Sequence, residues 1–81
     1  MAVSAYEALE DALGRVAPEA DLASVDPRES LREGLDLDSM DFLAVVERMA
    51  ELTGVTVPDG DYLQVDSVQG FVRYVEERAS R

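Results

Sequence analysis

Ser39 is the residue of this 81-residue chain that is best placed for chemistry, because an aspartate precedes it and a helical pattern follows it. Asp38 is a strong helix N-cap type, and Asp41, three residues on, can reach back toward an unpaired amide. This spacing predicts Ser39 at the first helical position, with its hydroxyl outside the core. Helix N-termini favour anions by about 0.3–1 kcal/mol at exposed sites, so a serine there can carry a phosphodiester. The alternative, from these residues alone, is that Ser39 only helps to cap the helix.

The composition argues against most catalytic and metal-binding arrangements. The chain contains no histidine and no cysteine. It therefore lacks the commonest general base, thiolate metal ligands, and the Ser-His and Cys-His nucleophile pairs. Asp59, Gly60 and Asp61 only partly resemble a calcium-binding loop, because its ligand spacing and closing glutamate are missing. We therefore predict neither an enzyme nor a metal site.

The charge of the chain indicates basic protein partners. Its formal net charge is −11, and all seven of its basic residues are arginine. Nucleic acids and anionic membrane surfaces require cations, so we expect neither as a partner, whereas basic protein surfaces complement this charge. Hydrophobic residues make up 47% of the chain, enough for one folded domain over residues 1–81. The sequence shows no signal-peptide pattern and no apolar run of membrane-spanning length, so we expect a cytoplasmic protein.

Two helical patterns of period 3.6 flank a long connection. The first helix is predicted from Ser4 to about Ala17, with a capping box formed by Ser4 and Glu7. The second runs from Ser39 to Thr53 and stops at Gly54. Their predicted core faces are Tyr6, Leu9, Leu13 and Val16, with Ala5 and Ala12, in the first, and Phe42, Val45, Val46, Met49, Leu52 and Thr53 in the second.

A third long helix closes the chain. It is predicted to begin near Asp66 or Ser67, with Gln69 placed for a cap, and to fray beyond Arg78. Its core face consists of Val68, Phe71, Val72 and Val75.

The connections complete an all-α bundle of three main helices plus one short helix. Residues 18–37 form a long, partly ordered first loop, in which Asp26 and Pro27 can open a short helix that ends at Gly34. The pattern in residues 55–66 is compatible with either a turn or a true third helix. The loop residues expected to pack on the core are Leu22, Val25, Leu31, Leu35 and Leu37.

The predicted second helix groups apolar and acidic side chains near Ser39. On a helical wheel Met40, Leu43, Glu47 and Glu51 lie on the serine side or just beyond it. Asp41 and Arg48 lie further round the helix. An alternative interpretation makes Met40 and Leu43 peripheral core residues beneath the long loop.

The run from Leu37 to Leu43, Leu-Asp-Ser-Met-Asp-Phe-Leu, resembles the Asp-Ser-Leu signature of acyl carrier proteins, with Met40 in the place of leucine. The resemblance extends over nearly the whole chain. It includes Leu31–Gly34 before the motif, Thr53–Pro58 after the second helix, and Val68–Val75 in the closing helix.

This resemblance implies that Ser39 is the attachment point for 4′-phosphopantetheine, transferred from coenzyme A by a magnesium-dependent phosphopantetheinyl transferase. The thiol of that arm would hold acyl groups as thioesters, so the chain needs no cysteine of its own. The protein would be a monomeric carrier rather than an enzyme. Its partners would be acyl-loading and acyl-processing enzymes, whose basic patches would contact the second helix. The implied partner-binding residues are Asp38, Met40, Asp41, Leu43, Glu47 and Glu51.

Some residues depart from the family pattern and leave the pathway open. Ala44 and Ala50 stand where many family members have acids, and Arg48 adds an opposing charge. Fatty acid, polyketide and related secondary pathways all stay possible. An aminoacyl, peptidyl or aryl carrier of a nonribosomal or D-alanyl pathway is a second hypothesis. A third is an acidic helical interaction module that is never modified.

Overall fold

Helices account for all the regular structure in residues 4–79, the part of the chain that the computed structural model describes. The described residues contain no strand, and the predicted all-α fold with three main helices and one short helix is confirmed. Two 3₁₀ segments, Leu22–Ser24 and Asp59–Val65, lie between the α-helices. The α-helices are α1 (Ala5–Val16), α2 (Leu31–Gly34), α3 (Ser39–Thr53) and α4 (Val68–Ala79).

Side-chain caps begin α1 and α4, and a glycine ends α3. The Ser4 hydroxyl accepts a hydrogen bond from the Glu7 amide at 3.1 Å, which is one of the two hydrogen bonds of the predicted capping box. At α4 the accepting side chain is Ser67, which binds the Gly70 amide at 3.0 Å. Gln69, the predicted cap, instead donates its backbone N–H to the Pro27 carbonyl at 2.9 Å. Gly54 has φ +76°, a left-handed conformation that glycine adopts without penalty.

The helices enclose one apolar core in which α1 packs against both α3 and α4. Four of the six residues on the predicted core face of α3 are buried, namely Phe42, Val45, Val46 and Met49, and the other two, Leu52 and Thr53, are partly buried. In α4, Tyr74 is buried although the predicted face did not include it. The core residues of α1 are Ala5, Ala8, Leu9, Ala12 and Leu13.

The core assignment of Tyr6 is wrong, since this side chain is 39% exposed. Small residues let helices approach closely, and the three alanines turn that side of α1 toward its neighbours. At about 100° per residue, this rotation leaves Tyr6 at the edge of the buried face. Val72 lies at the corresponding edge in α4 and is only partly buried. Both residues therefore keep apolar surface that the core does not use.

The long first loop is anchored at several points. Leu22, Val25, Leu31 and Leu37 are buried, as expected, while Leu35 is partly buried.

The short helix α2 starts later than predicted. Ser30 caps it by accepting from the Glu33 amide at 3.3 Å. Asp26 instead closes a tight turn, because its carboxylate accepts from the Arg28 amide at 2.9 Å. Aspartate favours such turns because its side chain can accept a hydrogen bond from the backbone amide two residues further on.

Asp66 ties this loop to the start of α4. Its carboxylate accepts from the Ser30 hydroxyl at 2.7 Å and from the Arg32 guanidinium at 3.2 Å. Its carbonyl accepts from the Leu31 amide at 3.0 Å. Burial alone raises the pKa of Asp66, but these hydrogen bonds and the Arg32 charge outweigh it and lower the pKa below the ordinary value of 3.8.

The segment between α3 and α4 contains a 3₁₀ helix. The sequence pattern had left open whether this segment forms a turn or a helix. Val55 and Val57 are buried although they lie outside any helix, and the 3₁₀ helix follows Pro58. Asp61 links this helix to α4 by accepting from the Tyr74 hydroxyl at 2.7 Å. The Arg78 guanidinium lies 3.8 Å from the same carboxylate.

Candidate functional site

Ser39 is the first residue of α3, and its side chain is exposed. Asp38 is the N-cap, and its carboxylate accepts a hydrogen bond from the Asp41 amide at 2.8 Å. The Asp38 carbonyl accepts from the Phe42 amide at 3.0 Å, which closes the first turn. Within residues 4–79 no group hydrogen-bonds to the Ser39 hydroxyl. The backbone at Ser39 is therefore held by the first turn of the helix, while the hydroxyl stays available for reaction.

The loop before α3 turns this hydroxyl outward. Leu37 is buried, and its amide donates to the Arg32 carbonyl at 2.8 Å. Asp36 has φ +55°, in the left-handed region that aspartate adopts more readily than most residues with a side chain. The buried Leu37 and the reversal at Asp36 leave Asp38 and Ser39 on the surface. The sequence pattern did not single out Asp36, although Asp between two leucines carries a weak turn signal.

Three of the predicted partner-binding residues form one exposed stripe along α3. Met40 and Leu43 are 79% and 38% exposed, so the alternative that buries them in the core is wrong. Glu47 follows Leu43 by four residues and is also exposed. Residues spaced by three or four lie side by side on a helix, so this stripe starts next to Ser39.

The other predicted partner-binding residues differ in their availability. The Asp38 carboxylate is occupied by the helix cap. Asp41 is partly buried and lines a cavity beneath the long first loop with Leu35 and Leu37. Glu51 is exposed, but the Arg48 guanidinium binds its carboxylate at 3.2 Å. The structure thus brings Met40, Leu43 and Glu47 together and places Asp41 on a different side.

Arg48 joins α3 to α1. Its guanidinium lies 3.4 Å from the Asp11 carboxylate of α1 and also contacts the carboxylate of Glu51, one turn further along α3. These contacts neutralise acids on the side of α3 that faces α1. Glu47 has no arginine within ion-pair distance in the described structure, so this exposed acid, unlike Glu51, is not neutralised by an arginine of α3.

An aromatic contact supports the first turn of α3 from below. The rings of Phe42 and Tyr62 meet edge to face, with centroids 5.8 Å apart. The Arg32 guanidinium lies 5.3 Å from the Phe42 centroid. Partial burial raises the pKa of Tyr62, and the Asp59 and Glu47 carboxylates add to this effect. The 3₁₀ helix that carries Tyr62 is therefore a neighbour of the site, which the sequence pattern did not predict.

Leu63 is a further apolar residue of this 3₁₀ helix, and it is 83% exposed. Its exposure shows that the 3₁₀ helix contributes apolar surface in addition to that of α3. The sequence does not predict this exposure, because an isolated leucine next to Tyr62 is equally compatible with a core position.

The residues at the start of α3 fit a phosphate ester. The amides of the first turn point out of the helix end, where the helix dipole favours negative charge. The Ser39 side chain is exposed, and the carboxylate of the preceding residue, Asp38, accepts a hydrogen bond from the Asp41 amide. In residues 4–79 no three acidic side chains are arranged to hold a metal ion, and no helix is long and apolar enough to cross a membrane.

Comparisons with known proteins agree with this site. Residues 6–75 match the family model described as a phosphopantetheine attachment site. The chain is 33% identical over 57 residues to an acyl carrier protein of Rubrobacter xylanophilus, covering 70% of each chain. It is 30% identical over 56 residues to an acyl carrier protein of Micrococcus luteus, covering 69% of each. The chain therefore belongs to the acyl carrier protein family, as a carrier rather than an enzyme, with covalently attached 4′-phosphopantetheine as its cofactor.

Proposed function

We propose that Ser39 is the residue that bears the phosphopantetheine arm, and that the chain presents acyl thioesters on it to biosynthetic enzymes. The observation that carries this proposal is the exposed Ser39 hydroxyl, unpartnered in residues 4–79, at the N-terminus of the 15-residue helix α3. We further propose that the protein acts in the cytoplasm as a monomer.

The attachment reaction needs only a hydroxyl from this chain. The Ser39 oxygen bonds to the phosphorus that bears pantetheine in coenzyme A. The phosphoanhydride bond to the adenosine bisphosphate breaks, and the hydroxyl proton passes to the transferase. The chain contains no histidine, and the Asp38 carboxylate is held by the Asp41 amide. We therefore assign the base and the magnesium ion to the phosphopantetheinyl transferase.

The role of the surrounding residues is to hold the hydroxyl in place. The buried Leu37 and the Asp38 cap limit the positions that Ser39 can take relative to α3. Preorganised geometry of this kind lowers the entropy cost when a partner enzyme aligns the reacting groups.

We propose that the stripe of Met40, Leu43 and Glu47 is the contact surface for partner enzymes. Two exposed apolar side chains can fill a partner's pocket, while Glu47 supplies a carboxylate for a basic residue. Arg48 neutralises part of the acidic charge next to this stripe. This pattern favours enzymes of a dedicated pathway, such as polyketide or other secondary biosynthesis, over those of general fatty acid synthesis.

The attachment site is tested by incubating the protein with coenzyme A and a promiscuous phosphopantetheinyl transferase and measuring the intact mass. We expect one added phosphopantetheine on the wild-type chain and none on Ser39→Ala. Ser24→Ala is a matched control, because Ser24 is also exposed, and it should be modified like the wild type. Modification of Ser39→Ala would exclude Ser39, and an unmodified wild type would favour the interaction module that needs no modification.

The cargo is tested separately with the modified protein. Loading by acyl-transferring enzymes is compared with loading by adenylating enzymes that activate amino or aryl acids. We expect the acyl-transferring enzymes to be at least about tenfold more efficient, since their basic surfaces complement Glu47. Preferential loading by adenylating enzymes would assign the chain to an aminoacyl, peptidyl or aryl pathway.

A further inference from the structure

An open groove of about 540 Å³ lies between the first turn of α1, the turn at Pro27 and the face of α4. Its apolar lining comes from Tyr6, Pro27, Val68 and Val72. None of its lining residues belongs to α3. The groove is therefore separate from the stripe beside Ser39 and can be occupied at the same time.

The apolar lining is surface that the folded chain leaves uncovered. Tyr6 is 39% exposed, and Val72 is only partly buried, although both have the helical spacing of core residues. Each lies at the edge of the buried face of its helix. Because Tyr6 and Val72 line the same groove, one apolar side chain of a partner can cover both.

Two arginines border the same groove without an acidic partner. Of the seven arginines, only Arg81 lies outside the described residues. Four of the others form ion pairs with carboxylates, namely Arg15, Arg32, Arg48 and Arg78. Arg28 and Arg73 form none within residues 4–79, although the chain carries 18 acidic residues, and both line this groove.

The groove also contains one carboxylate, that of Glu76, so its two guanidiniums leave a surplus of one positive charge. In a chain with a net charge of −11 this local sign reversal is unusual. Guanidinium groups bind carboxylates through two parallel hydrogen bonds, which gives them geometric selectivity for that group.

The backbone that carries Arg28 is held in place. Its amide donates to the Asp26 carboxylate at 2.9 Å, and the Glu29 amide donates to the Asp26 carbonyl at 3.0 Å. The adjacent Pro27 carbonyl accepts from the Gln69 amide at 2.9 Å, which ties the turn to α4. A ligand therefore does not have to order this side of the groove when it binds.

We propose that the groove binds an acidic segment of a partner protein, in which carboxylates flank an apolar side chain. The apolar side chain would rest on Tyr6 and Val72, and the carboxylates would pair with Arg28 and Arg73. A second copy of the chain is a poor occupant, since two molecules of charge −11 repel each other. The net negative charge of the chain also repels an acidic segment, over a distance of about 8 Å at physiological salt. We therefore expect the partner to dock first at another surface, after which the contact in the groove fixes its orientation.

The groove is tested by NMR titration of the unmodified, ¹⁵N-labelled full chain with two blocked peptides. The first is Gly-Asp-Leu-Phe-Asp-Gly, and the second replaces both aspartates with asparagine. We expect shifts of amide signals at Tyr6, Arg28 and along Val68–Glu76, but not along α3. The asparagine peptide should bind at least about fivefold more weakly, because it lacks the charges that exposed arginines attract.

Three variants identify the groups responsible. Arg28→Gln and Arg73→Gln should each weaken binding of the aspartate peptide about three- to fivefold, the upper part of the range for an exposed ion pair. Arg15→Gln removes the same charge outside the groove and should change the affinity less than about twofold. Arg28 and Arg73 have no ion pair in residues 4–79, so both variants should fold, as thermal unfolding would verify. Ser39→Ala should bind like the wild type, which separates this result from the attachment of phosphopantetheine.

Several results would overturn the proposal. Equal affinity for the two peptides would show that the arginines of the groove do not select carboxylates. The same conclusion would follow if Arg15→Gln lowered the affinity for the aspartate peptide as much as Arg28→Gln and Arg73→Gln do. A dimer seen by sedimentation that Arg28→Gln abolishes would assign the groove to a second copy. Arginine-dependent binding of octanoate that is tighter than that of the aspartate peptide would assign it to a small amphiphilic carboxylate.

Discussion

At the residue scale, hydrogen bonds inside the chain decide which acidic side chains are available to partners. Asp38 uses its carboxylate to cap α3, and Asp66 uses its own to join α2 to α4. Glu51 is bound by Arg48, whereas Glu47 has no arginine within reach in residues 4–79. Carboxylates that look alike in the sequence therefore have different roles in structure and recognition.

Asp66 makes the stability of the fold sensitive to acid. Its pKa is lowered in the folded state, so its contribution is fully present above the unfolded pKa of about 3.8 and is lost as pH falls through the folded pKa. Asp66→Asn should cost about 1–3 kcal/mol at pH 7, because the carboxylate accepts from both Ser30 and Arg32. Below pH 3.8 the difference from wild type should shrink, as measured by urea unfolding across this range.

A control variant separates this effect from the loss of one negative charge. Glu10 is exposed, and its side chain has no hydrogen bond or ion pair in the described residues. Glu10→Gln should change the stability by less than about 0.5 kcal/mol at pH 7. A difference between wild type and Asp66→Asn that stays constant down to pH 2 would contradict the assignment of Asp66.

At the element scale, the junction between the 3₁₀ helix Asp59–Val65 and α4 requires one small residue. A Cβ atom added at Gly70 would lie 2.2 Å from the Gln64 carbonyl oxygen and 2.9 Å from the Ser67 hydroxyl. Real Cβ atoms do not approach a backbone oxygen this closely, so one of the two elements would have to move. The glycine that weakens α4 by propensity is thus the residue that lets the 3₁₀ helix pack against it.

Substituting alanine for two different glycines should therefore change the free energy of unfolding in opposite directions. Gly70→Ala should lower the free energy of unfolding by about 1–3 kcal/mol, since the steric conflict exceeds the gain in helix propensity. Gly14→Ala should raise it by about 0.5–1 kcal/mol, because Gly14 lies within α1 with no atom within 4 Å of the added Cβ. Urea unfolding followed by circular dichroism measures both, and stabilisation by Gly70→Ala would contradict the close packing.

At the scale of the whole molecule, charge is distributed unevenly over an acidic chain. The exposed stripe beside Ser39 combines Met40 and Leu43 with the unpaired Glu47, while the groove at α1 and α4 holds Arg28 and Arg73. We propose that the net charge of −11 attracts basic partners from a distance and that the local pattern then selects their orientation.

Glu47→Lys should slow the association with a phosphopantetheinyl transferase more than Glu10→Lys does. Both variants change the net charge equally, so the difference reports the position of the charge. We expect the rate of modification at limiting transferase to fall about three- to tenfold for Glu47→Lys at low salt, and the difference to shrink as salt screens the interaction. Equal rates for the two variants at low salt would place Glu47 outside the interface.

The sequence by itself determined the helices and the position of Ser39 at the start of α3, because caps and helical periodicity are local properties. Ser4, Asp38 and Gly54 mark the ends of their helices as predicted, and the four buried residues of α3 all lie on its predicted core face. The start of α2 was misplaced because Asp26 and Ser30 are both good caps, and only the contacts of Ser30 with Asp66 decide between them.

The tertiary structure alone decided which edge of each helical face stays exposed and which charges are paired. Tyr6 has core spacing, but the close packing of the alanines in α1 leaves it at the groove. Arg48 and Arg73 carry the same charge in the sequence, yet within residues 4–79 Arg48 pairs with Asp11 and Glu51 while Arg73 pairs with no acid. Such outcomes depend on how helices rotate and approach each other, and periodicity within one helix does not contain that information.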